Sequence, residues 1–340
     1  MDVTELRTGT FEWDEFVRAS GEGTPFHLTA WKRAVEEAFG HRPHYLMARR
    51  AGAIEAVLPL FEVPGLFGGR TLVSVPYGVY GGICAQSQEA RLALLGAAGA
   101  LARRRRVGHL ELRNLHDQGL ALPTKELYVT FAREIAATEE ENLEVIPRKQ
   151  RRMVRQGLKH GLRVEIGQDH LDACYDIYAH SVRNLGSPVF PRALFHAIAA
   201  AFEKDCRIVS VWREGQMLAG VLTLFHQDRV LPYYGGALRE ALPYAVNDFM
   251  YWELMRYAAA EGYRVFDFGR SRVGTGSYDF KRHWGFEPRP LPYQYLLVRA
   301  RSLPDVNPSN PRFRWAIKAW QRLPLGFTKM VGPWLTRYLA

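Results

Sequence analysis

The sequence predicts an α+β fold of two similar domains, each a mixed, mostly antiparallel sheet flanked by helices, with a helical tail at the end of the chain. Two observations predict this fold. Short apolar runs bounded by turn residues alternate with longer helical patterns, and the order of two helices, a strand meander, a helix and a further strand occurs twice. A duplicated α+β unit explains this order more simply than two unrelated domains do.

The first repeat combines helical patterns with short β-rich runs. At 109–115, Leu110 and Leu112 alternate with polar residues, as in a half-buried strand, and Gly52 joins two earlier strands. The predicted elements are, in order, helices at 13–20 and 30–39, strands at 44–52, 53–65 and 71–83, an alanine-rich helix at 90–108 and a strand at 109–115.

The second repeat has the same plan, and acids before Pro147 with bases after it mark a helix start between the repeats. Its predicted elements are helices at 171–184 and 193–204, three strands within 206–238, a helix at 248–262 and a strand at 263–269. We therefore expect a first domain at 1–145, a second at 146–300 that carries the catalytic motif, and a basic amphipathic helical tail at 301–340.

The formal net charge of +10 indicates an anionic partner. Part of the excess positive charge lies in Arg103–Arg106. Another part lies in the predicted helix that begins at Pro147 and is capped near Gly161. Its basic residues Arg148, Arg152, Arg155 and Lys159 would share one side. Such a stripe suits a phosphate backbone or a diphosphate, and it equally suits a solvated face screened by salt.

Cysteine content and hydropathy restrict the class of protein. Cys84, Cys174 and Cys206 are far apart and have no cysteine or histidine at ligand spacing, so neither a metal site nor a disulfide framework is expected. The first residues lack the pattern of a signal peptide, and no apolar window is long enough to span a membrane. We expect a cytoplasmic protein, with contact at the inner face of the cell membrane as an alternative.

The tail predicts a linker followed by a basic helix. Residues 301–311 contain three prolines, and a helix that begins at Asn310 and Pro311 would place Trp320 on an apolar stripe. The other members of the stripe are Phe313, Ala316 and Ile317, and the bases are Arg312, Arg314, Lys318 and Arg322. This pattern favours peripheral membrane contact through 312–339, or packing of the helix onto its own domain.

The segment at 266–286, FDFGRSRVGTGSYDFKRHWGF, is the strongest candidate for a site. An apolar strand runs into Gly269, and a turn with Gly274 and Gly276 follows. Glycines allow a backbone to approach a ligand or to adopt a positive φ. The segment therefore predicts either a ligand-binding turn or an ordinary connection between a strand and a helix.

Lys281 is the charged residue within this segment, and it lies between Phe280 and Trp284. The two aromatic rings would place its charge at the rim of a partly dry pocket, where Coulomb interactions are stronger. The alternative is a solvated lysine on a packed helix.

Several enzyme classes are excluded because the sequence lacks their motifs. The sequence has no G-x-S-x-G elbow, no Walker motif and no dinucleotide-binding pattern. The turn RSRVGTG at 270–276 loosely resembles the pyrophosphate loop of acetyl-CoA-dependent acyltransferases, with its arginines out of register. Gly274 and Gly276 are therefore the candidates to hold the diphosphate of an acyl-CoA.

A family resemblance covers most of the chain. The run DFGRSRVGTGSYDFKRHWGFEPRPLPYQY at 267–295, with VLPYYGGALREALPYAVNDFMYWELMRYAAAEG before it, resembles the FemAB group of aminoacyl or acyl transferases. More narrowly, it resembles FemAB-related proteins associated with exosortase (PEP-CTERM) and exopolysaccharide systems. The resemblance implies two tandem GNAT-like domains. It also implies transfer to an envelope precursor, with peptidoglycan as one case.

The resemblance assigns roles to individual residues. Phe280 and Lys281 occupy the place of the catalytic Phe-Lys pair of Fem ligases, whose lysine stabilises charge during acyl transfer to an amine. Arg183 matches an arginine that holds a substrate diphosphate. Other residues implied to bind substrate are Tyr233 and Tyr234 in the second domain and Trp31 and Lys32 in the first.

The implied chemistry is attack of an amine on an activated acyl carbon, with the developing oxyanion stabilised by Lys281. Proton removal would fall to Asp267, Asp279, a tyrosine or water, although Asp267 also fits a turn carboxylate and Asp279 a helix-start acid. Arg270 and Arg272 would face a phosphate. We expect the site at the junction of the two domains.

Three functions follow, from two classes. The first is a FemAB-type N-acyltransferase or aminoacyltransferase that acts on a lipid-linked or saccharide envelope precursor. The second is an acyl-CoA-dependent N-acetyltransferase. The third is a non-catalytic basic adaptor that binds tRNA or a membrane surface. No tightly bound cofactor and no metal are expected, and the acyl donor would be either aminoacyl-tRNA or acyl-CoA.

Overall fold

The computed structural model describes residues 1–66, 68–304 and 311–339, and these divide into two compact units. Unit 1 comprises Met1–Leu127, Pro290–Asn307 and Trp334–Ala340, and unit 2 comprises Tyr128–Arg289 and Pro308–Pro333. The linker expected at 301–311 falls mostly on 305–310, which lie outside the described residues, as do the side chains of residues 311–314.

Both units contain strands and helices. The strands are β1 (Asp2–Glu5), β2 (Arg42–Arg50), β3 (Ala53–Pro64), β4 (Arg70–Ser74), β5 (Cys84–Ala85), β6 (His109–Arg113), β7 (Thr124–Lys125), β8 (Tyr128–Glu134), β9 (Arg163–Gly167), β10 (Cys206–Arg213), β11 (Gln216–His226), β12 (Arg229–Ala237), β13 (Val265–Arg272), β14 (Arg289–Pro290) and β15 (Tyr293–Leu297). The helices are α1 (Thr10–Ala19), α2 (Thr29–Phe39), α3 (Gln88–Arg105), α4 (Glu139–Val145), α5 (Arg148–Lys159), α6 (Leu171–Asn184), α7 (Arg192–Phe202), α8 (Val246–Ala260), α9 (Gly276–His283), α10 (Pro311–Arg322) and α11 (Leu325–Thr336).

Unit 1 is built on a sheet with the strand order β1-β2-β3-β4-β6-β15-β7, and β5 pairs with β3. The pair β4–β6 is parallel, whereas β1–β2, β2–β3, β3–β4 and β6–β15 are antiparallel. Helix α3 buries Ala90, Leu94, Ala98 and Leu101, whose spacing places them on one helical face, and they pack into the apolar cluster of this sheet.

Unit 2 is built on a sheet with the strand order β14-β8-β13-β12-β11-β10-β9. Here β12–β13 is parallel, and β8–β13, β11–β12, β10–β11 and β9–β10 are antiparallel. Helix α8 contributes Trp252, Leu254 and Met255 to the core. Both units thus have the predicted mixed, mostly antiparallel sheet flanked by helices, and the fold-class prediction is confirmed.

The compact units divide the chain differently from the expected ranges 1–145 and 146–300. Strand β8, which the expected division assigns to the first domain, pairs with β13 in unit 2, and β15, assigned to the second, pairs with β6 in unit 1. In unit 1, β6 follows the long helix α3 and pairs with β15, which lies after the second repeat. In unit 2, β13 follows the long helix α8 and pairs with β8, which lies before the second repeat. Such pairing is non-local, so the order of elements along the chain does not reveal it.

The helix predicted to begin at Pro147 is α5, with Pro147 as its N-cap residue. It ends at Lys159, and Gly161 just beyond has a positive φ of 68°, a conformation that favours glycine. Gly157 lies where a Cβ would be 2.7 Å from the Cβ of Phe249, so α5 packs closely against α8.

The part of the tail that belongs to unit 2 packs onto that unit. Arg183 Nη1 donates a hydrogen bond of 3.1 Å to the carbonyl of Leu323, between α10 and α11. Lys329 Nζ lies 2.7 Å from Asp176 Oδ1. The alternative that the tail packs on its own domain therefore holds for one side of α10 and α11, while Trp315 and Met330 remain largely exposed.

Candidate active site

The two parallel strands in the middle of the unit 2 sheet separate along their length. Strands β12 and β13 pair only at Arg229–Val265 and Val230–Phe266. Beyond these pairs β12 continues to Ala237 beside β11, and β13 continues to Arg272 beside β8. The facing edges of β12 and β13 therefore open into a gap between two strands of one sheet, which we call the strand opening.

A β-bulge lies on β13 beside the strand opening. Its register with β8 shifts between Asp267 and Gly269, and Gly269 has a φ of 68°. The side chain of Asp267, which is 1% exposed, accepts a hydrogen bond of 2.8 Å from the Gly269 N–H. A bulge re-aims backbone groups at a chosen point of a strand. Here the bulge is fixed by the aspartate two residues before the glycine.

The amine of Lys281 on α9 binds this bulge. Its Nζ donates to the carbonyl oxygens of Phe268, Gly269 and Arg270, at 2.7, 2.9 and 3.1 Å. Three acceptors match the three N–H groups of an ammonium. The lysine is 9% exposed, so its charge is held beneath β13 and not at a pocket rim as the sequence suggested.

Burial decides the titration of Lys281. Loss of hydration lowers its pKa to about 7, the nearby Asp267 carboxylate raises the pKa, and the Arg270 guanidinium lowers it. Near neutral pH the amine therefore exchanges between its charged and neutral forms. A group with such a pKa suits chemistry at neutral pH and is a functional-site candidate on physical grounds.

The aromatic neighbours of Lys281 form a packed layer. Phe280 contacts Tyr251 and Phe268 at ring-centroid distances of 5.7 and 6.3 Å. Trp284 is completely buried and belongs to the core of unit 2. Phe280 is half-buried, so of the two predicted aromatic residues only Phe280 keeps an accessible surface.

Asp248 on α8 is a site residue that the sequence analysis missed. Its Oδ1 accepts hydrogen bonds from Gln150 Nε2 at 2.6 Å and from Trp284 Nε1 at 3.0 Å, which connects α8 to α5 and to the end of α9. Burial raises the pKa of Asp248, while these two hydrogen bonds oppose the shift. The only signal in the sequence was an aspartate at the start of a largely apolar helix.

The other charged candidates near the motif have different surroundings. Asp279 is exposed in the first turn of α9, as a helix-start acid would be. The Arg270 guanidinium stacks on the ring of Tyr128 at 4.2 Å, and Arg272 is half-buried at the end of β13. Asp267 serves as the turn carboxylate of the bulge, which was the alternative to a catalytic base.

The glycine turn before α9 is open. Gly274 has a φ of 76°. Apart from chain neighbours and the backbone of α9 itself, no atom of the described residues lies within 4 Å of where a Cβ would be on Gly274 or Gly276. Thr275 is the N-cap residue of α9, and its hydroxyl donates to the carbonyl of Arg272 at 2.7 Å. The turn thus has room for a ligand next to the start of a helix.

Arg183 and the two tyrosines are also in unit 2 but have structural partners. Besides its bond to the tail, Arg183 has a buried Nε that lacks a hydrogen-bond partner among the described residues. Tyr234 is buried in an aromatic cluster, and Tyr233 lies against it at 4.4 Å. The other rings of the cluster are Tyr178, Phe190 and Phe195.

Trp31 and Lys32 belong to α2 of unit 1. Trp31 is fully buried, with its Nε1 donating to the carbonyl of Pro76 at 3.3 Å. Lys32 pairs with Glu36 at 2.8 Å. These contacts are those of a core tryptophan and a helix-surface lysine.

The basic stripe of α5 is on the surface. The described residues offer no ion-pair partner to its four members, all of which are exposed: Arg148, Arg152, Arg155 and Lys159. Over residues 1–66, 68–304 and 311–339, no helix is long and apolar enough to cross a membrane. In the same residues no cluster of histidine, cysteine, aspartate and glutamate could hold a metal ion.

Comparison with known proteins gives the domain type. Residues 144–282 match the acetyltransferase (GNAT) domain family. No curated protein matches the chain. The structure is similar to that of FemX, with a TM-score of 0.70 and 17% identity over 88% of this chain and 98% of that one.

Two further solved structures share the fold. One is a tandem GNAT protein from the clavulanic acid biosynthesis pathway, with a TM-score of 0.56 and 13% identity over 87% of this chain and 98% of that one. The other is the C-terminal domain of a putative lysylphosphatidylglycerol synthetase from Agrobacterium fabrum, with a TM-score of 0.55 and 14% identity over 85% of this chain and 91% of that one. The predicted tandem GNAT-like fold is confirmed.

Proposed function

We propose that this chain transfers an acyl or aminoacyl group to an amine on a cell-envelope or exopolysaccharide precursor. The chain is a FemAB-like tandem GNAT acyltransferase, and its residues 144–282 match the GNAT domain family. The strand opening is the observation that carries the proposal. Two strand edges that separate from each other inside a sheet can hydrogen-bond an extended donor and orient its carbonyl group. The bulge on β13 lies beside that gap.

Lys281 supports this chemistry from below the bulge. Its ammonium holds three consecutive carbonyl groups of β13, so the neighbouring backbone has a fixed direction. Its positive charge is buried, and it would also stabilise negative charge that develops on the acyl carbonyl next to the bulge. Lys281 is thus proposed to act through the bulge it positions.

A transfer assay tests the role of Lys281. Labelled acetyl-CoA and labelled aminoacyl-tRNA are offered as donors, with amino-sugar oligosaccharides and nucleotide-linked muropeptides as acceptors. Lys281→Met should reduce transfer by about 100- to 1,000-fold, the range seen when one charge-stabilising group is removed. Lys204→Met, at an exposed lysine, is the control. A folded Lys281→Met protein with wild-type transfer would refute the role.

The proposal for the acceptor rests on the similar proteins. The Agrobacterium protein is named as a putative lysylphosphatidylglycerol synthetase, and the FemAB resemblance implies an envelope precursor. Retention of label on an amine after mild alkaline treatment would support an amide product. Loss of all label under the same treatment would identify an ester and exclude N-acylation.

An acyl-CoA donor is supported by the open glycine turn. Helix N-termini bind phosphate groups through their unpaired N–H donors, and the start of α9 has the free space to receive one. Millimolar CoA should then raise the thermal midpoint, and Gly276→Val should abolish the shift. If wild type shows no shift and no transfer from acetyl-CoA, this donor is excluded.

A tRNA donor is supported by the exposed stripe of α5. Replacing its four basic residues with glutamine should weaken tRNA binding. It should also make the negative slope of log affinity against log salt concentration shallower by about 3. The charge-matched control replaces four exposed arginines of unit 1: Arg7, Arg103, Arg104 and Arg299. Equal losses in both variants would show that the attraction is not specific to α5. Strong tRNA binding with no acyl transfer would favour the adaptor function.

Peripheral membrane contact through the tail is part of the proposal. In unit 2 the tail exposes Trp315, Phe327 and Met330 beside the bases Lys318 and Arg322. Aromatic and basic side chains together favour the interface of an anionic bilayer. Co-flotation with phosphatidylglycerol vesicles should be lost in a Trp315→Ala, Met330→Ala variant. Unchanged flotation of this variant would place the contact elsewhere.

A further inference from the structure

Unit 1 contains a basic cavity that is separate from the strand opening. The cavity, here called the arginine pocket, has a volume of about 290 Å³ and is lined by four arginines, a histidine and one acid: Arg42, Arg70, Arg105, Arg337, His41 and Glu62. The arginines come from the start of β2, the start of β4, the end of α3 and the residue after α11. Distant parts of the chain thus meet around one recess.

The charges of the pocket do not balance. Glu62 is 6% exposed and accepts hydrogen bonds from Arg70 Nη1 at 2.6 Å and Arg105 Nε at 2.8 Å. Burial raises the pKa of Glu62, but the hydrogen bonds from Arg105 and Arg70 outweigh it, so the pKa is lowered and the carboxylate is charged at neutral pH. Arg42 and Arg337 have no acidic partner among the described residues.

Neutral groups hold the cavity in shape. His41 Nε2 lies 2.8 Å from the Tyr77 hydroxyl, which donates to the carbonyl of Thr336 at 3.1 Å. This contact fixes the chain next to Arg337. Burial, and then the charge of Arg337, lower the pKa of His41 to about 4, so the ring is neutral at physiological pH. The ring of Tyr77 stacks on Phe39 with ring centroids 4.0 Å apart, a packing contact that holds the tyrosine in this wall.

We propose that the arginine pocket binds a phosphate oxyanion, as a phosphomonoester or diphosphate. Two guanidinium groups are already oriented by Glu62, and those of Arg42 and Arg337 have no acidic partner among the described residues. Arginine presents planar pairs of N–H groups that match phosphate oxygens, and a binding anion would relieve the mutual repulsion of the four cations. The cavity is at the small end of the roughly 300–1,000 Å³ range of ligand sites, which suits a headgroup or a diphosphate.

The phosphate has two possible sources, a soluble compound or an anionic lipid headgroup. Trp334 and Leu339 are exposed close to Arg337 in the sequence, as residues beside a lipid surface would be. Inorganic pyrophosphate is the soluble probe. Phosphatidylcholine vesicles with added phosphatidic acid, whose headgroup is a phosphomonoester, are the lipid probe.

Calorimetric titration of the full chain tests the site. An Arg42→Gln, Arg337→Gln variant should weaken pyrophosphate binding by at least about tenfold, equivalent to about 1.4 kcal/mol. Both residues are exposed, and neither has an ion pair with another described residue, so folding should be retained. The control variant, Arg7→Gln with Arg104→Gln, has the same net charge and should bind as wild type does.

The remaining outcomes also decide the proposal. If the Arg42→Gln, Arg337→Gln variant loses vesicle binding and also binds pyrophosphate more weakly, the site is assigned to lipid headgroups. If only its pyrophosphate binding is weakened, the site is assigned to a soluble phosphate. No binding of either probe by wild type at millimolar concentration overturns the proposal. Equal losses in the two variants, or binding of citrate as tight as that of pyrophosphate, overturn it too.

Discussion

Replacing Lys281 with methionine should change how the stability of the protein depends on pH. In the folded chain burial lowers the pKa of this amine to about 7, and its ordinary value is 10.5. Between these values the unfolded state binds more protons than the folded state, so the free energy of unfolding rises with pH. The methionine variant lacks this contribution and should show a flatter dependence.

The size of the effect follows from the two pKa values. At pH 7 about half of the folded molecules carry the proton, and at pH 9 about one in a hundred does, while nearly all unfolded chains still carry it. At about 1.4 kcal/mol for each unit of pKa, the wild type should gain about 2 kcal/mol over Lys281→Met between pH 7 and pH 9.

Urea unfolding at pH 7, 8 and 9 measures this gain as the difference between wild type and Lys281→Met. Other titrating groups cancel in that difference, and Lys204→Met, at an exposed lysine, should parallel wild type. Parallel curves for wild type and Lys281→Met would refute the reasoning. They would mean that the three carbonyl groups keep the ammonium charged at an ordinary pKa despite burial.

Substitutions at Asp248 and Gly157, each with a matched control, test the packing around the site. Asp248→Ala leaves two buried donors without an acceptor and should lower the free energy of unfolding by about 2–4 kcal/mol. Asp248→Asn keeps an acceptor oxygen and should lower the free energy of unfolding by less. Equal losses in the two variants would show that the hydrogen bonds are not the cause. Gly157→Ala would place a methyl group 2.7 Å from the Cβ of Phe249 and should destabilise by about 1–3 kcal/mol. At the matched position Gly96, the methyl group of an alanine would meet no described atom within 4 Å apart from its chain neighbours and the backbone of its own helix, so Gly96→Ala should stabilise by about 1 kcal/mol. The same sign for both changes in urea unfolding would contradict the contact.

Local patterns located the motif of the candidate site. The strand, the glycine turn and the lysine at 265–281 are consecutive in the chain, so their order and spacing could be read directly. What the sequence did not show was the direction of the lysine. The Lys281 amine reaches back to three carbonyl groups of β13, and this depends on a bulge that forms only because β8 pairs with β13.

Burial and distant partners decide the role of several residues whose type alone suggests a binding site. Trp284 and Tyr234 have the residue types of a binding site, but both side chains are buried in the core of unit 2. No local pattern identifies Asp248 as a site residue, because its two hydrogen-bond partners are distant in sequence. Burial and long-range hydrogen bonds depend on which elements meet, and no local pattern records that.

The main helices, the central strands, their repeated order and the basic character of α5 follow from local sequence, because helix caps, turn residues and the spacing of apolar side chains act over a few neighbouring positions. The assignment of β8 and β15 to their sheets, the separation of β12 from β13 and the meeting of Arg42 with Arg337 follow from tertiary packing alone. Those outcomes depend on hydrogen bonds and burial between segments far apart in the chain, where many pairings are possible and the packed core selects one.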